Sequence, residues 1–227
     1  MNLLKNGLAA LLIVSLASCS ERRPAEAQTE PGPLTRSTAA PAPTNTAGLA
    51  VATFAGGCFW ATEEVFEELR GVKAAVSGYS GGTVANPSYE EVGTERTGHA
   101  EAVQVYYDPK QISYQQLAEV FFKAAHDPTT PNRQGPDMGP QYRSAVFYRT
   151  PQEKKVLDET IGRVNAGRQY SSPVVTQVQP FRQFWPAEGY HQGYLRLHPR
   201  ESYIQNISMM KVEKVRHTFP QLLKKPL

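Results

Sequence analysis

Cysteine is scarce in this sequence, which has only Cys19 and Cys58 among its 227 residues. The two could form one disulfide, but Cys19 closes an apolar N-terminal stretch, whereas Cys58 lies in a region patterned like a folded domain. No CxxC pair is present, and two cysteines alone cannot make a zinc site. We therefore predict no structural metal site, and we expect any thiol chemistry to depend on Cys58.

Basic runs and long apolar runs are also missing. The 24 Lys and Arg residues nearly balance the 21 Asp and Glu residues, giving a net charge of +3. The charges form no basic stripe, so we predict no nucleic-acid partner. The apolar run at residues 8–16 is shorter than the roughly 20 residues that a membrane-spanning helix needs. The remaining composition is typical of a soluble globular domain.

The N-terminus has the features of a targeting signal. Lys5 precedes the apolar run, which ends in Leu16-Ala17-Ser18-Cys19. This ending resembles the lipobox of bacterial lipoproteins, in which the cysteine is lipidated and becomes the first mature residue. The resemblance implies a signal peptide at residues 1–18 and a protein anchored in the bacterial cell envelope, facing the periplasm or the exterior. The alternative is an ordinary signal peptide in which Cys19 has no role.

Residues 19–48 are predicted to form a disordered linker behind the lipid anchor. They are rich in Pro, Ala, Thr and Ser and contain no aromatic residue. Such a segment buries too little apolar surface to offset its loss of conformational entropy on ordering. A folded domain is expected to begin near Leu49 and to continue to residue 227.

Alternating and helical apolar patterns are interspersed along this domain. We predict strands at 51–55, 99–107, 142–149 and 174–178, and helices at 61–69, from the Ser113 capping box, from Thr150 and at 201–217. Residues 180–200 are aromatic-rich and irregular. The pattern has no regular βαβ rhythm, so it predicts an α+β, two-layer sandwich. We expect a mixed, mostly antiparallel sheet with a ferredoxin-like core and a loop-rich C-terminal part.

Cys58 is the candidate nucleophile. The segment Gly56-Gly57-Cys58-Phe59-Trp60 joins a predicted strand to a predicted helix, and the glycines permit a tight turn and close approach of a ligand. A cysteine at a helix N-terminus feels the helix dipole, which is expected to lower its pKa and favour the thiolate. The alternative is a buried, inert cysteine among core aromatics.

Glu101 is the candidate acid. It shares a strand face with Val103, Val105 and Tyr107. If that face is buried, desolvation raises the carboxyl pKa and the group can act as a general acid. If Glu101 lies at a frayed strand start, it is in water and has no such role. Loop tyrosines, including Tyr79, Tyr89 and Tyr142, are candidate hydroxyl donors.

Further short motifs occur in a fixed order along the chain. They are Gly57-Cys58-Phe59-Trp60, Gly78-Tyr79-Ser80-Gly81-Gly82, Asn86-Pro87-Ser88-Tyr89, Gly98-His99-Ala100-Glu101, His126-Asp127-Pro128-Thr129, Asn132-Arg133-Gln134-Gly135, Asp137, Gln141-Tyr142-Arg143-Ser144, Ala187-Glu188 and His191-Gln192. Together they resemble the methionine sulfoxide reductase A family over about residues 50–200. So many motifs in the same order make the resemblance specific.

The resemblance implies a role for each matching residue. Cys58 would be the nucleophile and Glu101 the acid near the sulfoxide oxygen. Phe59 and Trp60 would hold the S-methyl group, and Tyr89 and Tyr142 would donate hydrogen bonds to the oxygen. Asp137 and Tyr194 would support the pocket. The resemblance further implies that residues 49–227 are a catalytic domain reducing methionine S-sulfoxide in proteins and as the free amino acid, with no metal or organic cofactor.

One departure concerns regeneration of the enzyme. Many relatives carry further cysteines near the C-terminus that condense with the sulfenic acid, whereas none follows Cys58 here. We therefore expect a single-cysteine cycle in which an external thiol, such as a thioredoxin-like protein, reduces the Cys58 sulfenic acid. The expected partners are oxidised proteins and peptides, free methionine sulfoxide, this reductant and, through Cys19, the membrane. We expect a monomer.

Two other interpretations remain open at this point. Cys58 could serve different thiol chemistry, in a thiol peroxidase or an acyl transferase, although an acyl transferase normally needs a histidine base. His99 and His126 have no spacing that identifies them as that base. A non-enzymatic envelope lipoprotein that binds a partner is the second alternative.

Overall fold

The computed structural model describes residues 45–224. The signal peptide, Cys19 and most of the linker lie outside the described residues, so the predictions about them stay predictions. The strands are β1 Ala50–Gly56, β2 Val72–Ser80, β3 Ala100–Tyr107, β4 Arg133–Gln134, β5 Asp137–Met138, β6 Ser144–Tyr148, β7 Gln177–Pro180 and β8 Phe184–Pro186. The α-helices are α1 Phe59–Glu67, α2 Tyr89–Gly93, α3 Tyr114–Val120, α4 Pro151–Ala166, α5 Tyr194–Leu197 and α6 Met209–Thr218. Short π-helical turns at Phe121–Ala125 and Ile204–Ser208 follow α3 and precede α6.

Six strands form one mixed sheet in the order β7-β6-β1-β3-β2-β8. The β6–β7 pair is parallel and the other pairs are antiparallel. The inner order β6-β1-β3-β2, with α1 joining β1 to β2 and α3 lying between β3 and β6, is a ferredoxin-like core. The prediction of an α+β fold with a mostly antiparallel sheet is confirmed.

The helices cover one face of the sheet. Phe54 and Val105 from the strands pack there with Phe66 of α1, Leu117 of α3 and Val212 of α6, all fully buried. A smaller cluster on the other face contains Ala55, Val76, Ala102, Phe147 and Phe184. Both faces of the central strands are therefore buried, which holds β1 and β3 rigidly beneath the segment that carries Cys58.

The predicted caps of α3 and α4 agree with the structure, with one difference of detail, whereas α1 begins at Phe59, two residues before the predicted start. Ser113 and Gln116 form the expected reciprocal capping box of α3. Thr150 caps α4 by accepting the Glu153 backbone N–H, but the Glu153 carboxylate bonds the backbone N–H of Arg149, one residue before the cap. Strand β2 was not predicted. Within residues 45–224, no helix is both long and apolar enough to cross a membrane.

Candidate active site

Cys58 lies in the turn between β1 and α1, where it is the N-cap of the helix. Gly57 precedes it with φ +85°, a left-handed conformation that favours glycine. A Cβ at Gly57 would come within 2.5 Å of the Gln134 Cβ, and one at Gly56 within 3.0 Å of the His126 Cβ. Packing therefore favours glycine at both positions, and backbone geometry favours it at Gly57; the tight turn that the sequence predicted is present. The turn places a 6% exposed thiol at the helix terminus.

Glu101 reaches this turn from the neighbouring strand. It lies on β3, which pairs with β1 through Phe54 and Val103, and it stands opposite Tyr79 of β2. The carboxyl group is 3% exposed and accepts a 3.0 Å hydrogen bond from the backbone N–H of Phe59. Of the two possibilities that the sequence left open for Glu101, the structure shows the buried strand face and not a frayed, solvated strand start.

A small cavity of about 130 Å³ opens onto both groups. Its lining residues are Cys58, Phe59, Trp60, Tyr89, Glu101, Asp137, Tyr142 and Tyr203. The volume corresponds to about four water molecules, far below that of a drug-sized pocket. The cavity is thus suited to the end of one side chain, and it brings together seven of the eight catalytic and substrate-binding residues predicted from the sequence.

The eighth, Tyr194, supports the cavity from behind. Its ring stacks on Trp60 with centroids 3.8 Å apart, while its hydroxyl donates to the Glu201 carboxylate. The other end of the indole is fixed by a 3.1 Å hydrogen bond from its N–H to His191 Nδ1. Tyr79, a candidate donor in the sequence, is fully buried beneath Phe59 and donates to Glu188 instead. It does not line the cavity.

Burial governs the protonation of the Cys58 thiol and the Glu101 carboxyl group. Desolvation raises the pKa of Glu101 to about 8, although the Phe59 N–H and Lys211 oppose this change. Desolvation and the negative charge of Glu101 raise the pKa of Cys58 to about 12. The prediction that the helix N-terminus lowers the pKa of Cys58 is wrong for this state, since burial outweighs the Trp60 N–H and the Lys211 charge. At neutral pH the resting site therefore holds a thiol beside a largely protonated carboxylic acid.

Two residues at this site were not predicted. Tyr203 precedes the second π-helical turn and donates a 2.6 Å hydrogen bond to the Asp137 carboxylate, which closes one side of the cavity. Lys211 of α6 donates a 3.1 Å hydrogen bond to the Gly56 carbonyl. In the sequence both residues lie in the segment predicted as a charged C-terminal helix, whose pattern does not distinguish them from surface residues. Only the tertiary packing of this segment, including that of α6 against α1, reveals where they lie.

The histidines do not supply a base for Cys58. His126 bonds the Phe121 carbonyl and Ser144, and His99 bonds the Gly82 N–H and the Val84 carbonyl. Among residues 45–224, no histidine is hydrogen-bonded to the thiol, so the geometry argues against an acyl transferase. A larger cleft of about 560 Å³ near Tyr170 contains no cysteine or acid, and we therefore place the chemistry in the smaller cavity.

A buried thiol next to a protonated carboxyl, among aromatic rings and hydroxyl donors, defines a thiol-dependent oxidoreductase site. A sequence model of the family described as peptide methionine sulfoxide reductase matches residues 50–223. The chain belongs to this family of oxidoreductases, which reduce methionine sulfoxide in protein repair.

Individual relatives agree with this assignment. The chain is 48% identical to peptide methionine sulfoxide reductase MsrA 1 of Rhodopirellula baltica over 78% of its own length and 91% of the relative. It is 47% identical to the MsrA of Thermus thermophilus, over 77% and 97% of the two chains. Reduced Mxr1 from Saccharomyces cerevisiae is structurally similar, with a TM-score of 0.63 and 33% identity over 69% of this chain and 90% of the other. Methionine sulfoxide reductase A of Corynebacterium diphtheriae is also similar, with a TM-score of 0.61 and 32% identity over 68% of this chain and 77% of the other.

Proposed function

We propose that the enzyme reduces the S epimer of methionine sulfoxide, in proteins, peptides and the free amino acid, through a sulfenic acid on Cys58. One observation carries this proposal: the Cys58 thiol and the buried Glu101 carboxyl open onto the same small cavity. A sulfoxide is a poor electrophile until its oxygen is protonated, and a carboxyl group that keeps its proton near neutral pH is suited to that task.

The reaction transfers the sulfoxide oxygen to Cys58. Glu101 donates its proton to that oxygen as the Cys58 sulfur attacks the substrate sulfur and forms an S–S bond in a transient adduct. The hydroxyl group then passes to the Cys58 sulfur: the S–O bond of the substrate and the S–S bond break, an S–O bond to Cys58 forms, methionine leaves and Cys58 becomes a sulfenic acid. The proton of the Cys58 thiol passes to the Glu101 carboxylate, so that Glu101 ends the step protonated. The enzyme sulfur is oxidised by two electrons and the substrate sulfur is reduced by two.

The other cavity residues would hold the sulfoxide in place. Phe59 and Trp60 form an apolar wall for the S-methyl group, and the Tyr194 stack keeps the indole in position. Tyr89 and Tyr142 have hydroxyls whose pKa values are raised by burial, so they remain donors to the developing charge on oxygen. Asp137, bonded by Tyr203, completes the polar side.

An external thiol would regenerate the enzyme. Cys58 is the only cysteine among residues 45–224, and Cys19 lies at the far end of the predicted linker. Attack of a thiolate on the Cys58 sulfenic acid forms a mixed disulfide and water, and a second thiol releases reduced Cys58. A dithiol protein of the thioredoxin type supplies both thiols. We propose no metal or organic cofactor.

The lipobox-like sequence at Cys19 supports a location in the cell envelope, where the enzyme would repair oxidised proteins. Mass spectrometry of the purified protein would test this by detecting a lipidated Cys19 at the mature N-terminus, and Cys19→Ser should move the protein from the membrane fraction to the soluble fraction. A mature protein whose N-terminus lies elsewhere, with Cys19 removed, would refute the anchor while leaving the enzymatic proposal intact.

A single turnover without reductant tests the chemistry. We expect one methionine per enzyme and an added oxygen atom on the peptide containing Cys58, which dimedone traps. Cys58→Ser should abolish both products. Cys19→Ser should change neither. An intramolecular disulfide between Cys19 and Cys58 after turnover would contradict the single-cysteine cycle.

A further inference from the structure

Lys211 is a cation beside the nucleophile that the reaction described so far does not use. Its Nζ donates to the Gly56 carbonyl at 3.1 Å. It lies 3.2 Å from the point where a Cβ of Gly57 would stand, directly before Cys58. The residue arrives from α6, which packs against α1. The ammonium is thus fixed next to the turn that carries the thiol.

Lys211 has no ion-pair partner in the described part of the chain. The exposed lysines of α4, by contrast, pair with acids one helical turn away, as Lys154 does with Asp158 at 2.6 Å. A partly buried ammonium without a carboxylate partner is costly unless another anion shares the site. The side chain points toward the Cys58 turn rather than into solvent, so its position is not explained by solubility.

The surroundings of Lys211 contain the groups on which its charge would act. The titratable groups that interact electrostatically with Lys211 include Cys58, Glu101, Asp137 and His126. The tyrosines that face Cys58 are Tyr89, Tyr142, Tyr194 and Tyr203. Lys211 lowers the pKa of Cys58, in opposition to burial and to the charge of Glu101. Burial lowers the pKa of Lys211 itself, whereas the charges of Cys58, Asp137 and Glu101 raise it.

We propose that Lys211 is a positioning residue whose cation stabilises the anionic forms of the Cys58 sulfur, namely the attacking thiolate and the sulfenate that follows. The expected effect of Lys211 on methionine formation rests on the proposed function. Its expected effect on the reactivity of the Cys58 thiol does not. Because the chain has no later cysteine to trap the sulfenic acid, the sulfenate must persist until an external thiol arrives. The Lys211 ammonium is well placed to stabilise the sulfenate by its opposite charge until that thiol reacts.

The thiol effect is tested by alkylation of Cys58 with iodoacetamide, in the full chain carrying Cys19→Ser so that a single thiol remains. Removing the charge with Lys211→Met should slow alkylation at pH 9 about tenfold, because a nearby opposite charge changes the thiolate fraction by that factor or more. Lys211→Arg keeps the charge and should restore most of the rate. Lys211→Gln keeps a donor for the Gly56 carbonyl without the charge and should behave like Lys211→Met.

Lys214 provides the matched control, since it lies on the same helix with its ammonium over the Tyr170 ring. Lys214→Met should alkylate like the parent. Thermal unfolding of each variant shows whether the fold is intact, and the Gln variant remains informative if Met destabilises α6. The same ranking, with Arg above Gln and Met, is expected for methionine formation in a single turnover.

Equal alkylation rates for Lys211→Gln and Lys214→Met would overturn the proposal, as would a folded Lys211→Arg no faster than Lys211→Gln. Failure of the proposed function gives a different result. In that case the parent forms no methionine from the sulfoxide, while the alkylation rates still rank the variants by charge.

Discussion

Glu101→Gln should change two reactions of the same site in opposite directions. The substitution removes the proposed acid, so sulfoxide reduction at pH 7 should fall by roughly 10²- to 10⁴-fold, the usual contribution of general acid catalysis. It also removes a negative charge that raises the pKa of Cys58. Alkylation of Cys58 at pH 9 should therefore become about tenfold faster.

The pH dependence provides an internal check. With a pKa of about 8, Glu101 is largely protonated at pH 6 in the parent protein, so the parent and Glu101→Gln should alkylate at similar rates there. The rates should separate as pH rises through about 8 and the parent acquires the carboxylate. Over the same range, sulfoxide reduction by the parent should decline because its acid loses the proton.

The same proton affects folding. The folded-state pKa of Glu101, about 8, lies above its ordinary value of 4.5, so the folded protein binds the proton more tightly than the unfolded chain. The associated stability is complete below about pH 4.5 and is lost as pH rises through about 8. Between pH 5 and pH 9 the parent should lose about 4 kcal/mol relative to Glu101→Gln.

Urea denaturation at the two pH values measures this difference, and Glu90→Gln, at an exposed position of α2, is the matched control. Unchanged sulfoxide reduction in Glu101→Gln would refute the assignment of the acid. Slower alkylation at pH 9 would refute the electrostatic argument for Cys58, because removal of a neighbouring negative charge cannot disfavour the thiolate.

Three further predictions follow from the geometry. Gly57→Ala should lower activity at least 100-fold, because a left-handed backbone and the Gln134 side chain both oppose a Cβ, whereas Gly162→Ala, in open space on α4, should leave activity unchanged. A parent-like rate for Gly57→Ala would show that the turn is not constrained. Glu63→Ala should destabilise the protein by about 1–3 kcal/mol in chemical denaturation, since it leaves a buried hydroxyl and a backbone N–H without their acceptor. No loss of stability would indicate that water replaces the carboxylate. The S-ethyl analogue of the substrate should have a kcat/KM about 10- to 200-fold below that of the S-methyl compound, and Trp60→Ala should reduce that discrimination. If Trp60→Ala discriminates between the S-methyl and S-ethyl compounds as strongly as the parent does, Trp60 does not form the methyl site.

Local sequence patterns predicted the parts of the site that depend on near neighbours. The double glycine before Cys58 and the apolar helix after it indicated a tight turn at a helix N-terminus, which the structure confirms. The alternation through Val103 and Val105 identified burial of Glu101 as one of two possibilities, and the structure shows that Glu101 is buried. Each of these conclusions needs only one strand or one turn.

Features that depend on distant packing were not predictable in this way. Strand β2 was not predicted because most of its residues are buried on both faces, so its sequence does not alternate between apolar and polar residues, and Ser77 and Gly78 interrupt the apolar run. Lys211 reaches the site because α6 packs against α1, and Tyr203 lies just before the π-helical turn that leads into α6. The pKa of Cys58 was predicted in the wrong direction because the helix dipole is a local effect, whereas burial and the Glu101 charge come from the tertiary structure.

Turnover of the separated S and R epimers of a methionine sulfoxide peptide, with a dithiol reductant and Cys58→Ser as control, is the most direct test of the account. We predict that the protein reduces the S epimer alone, and that this activity is lost in Cys58→Ser and retained in Cys19→Ser. Turnover of neither epimer by the folded protein, or turnover that survives Cys58→Ser, would contradict it.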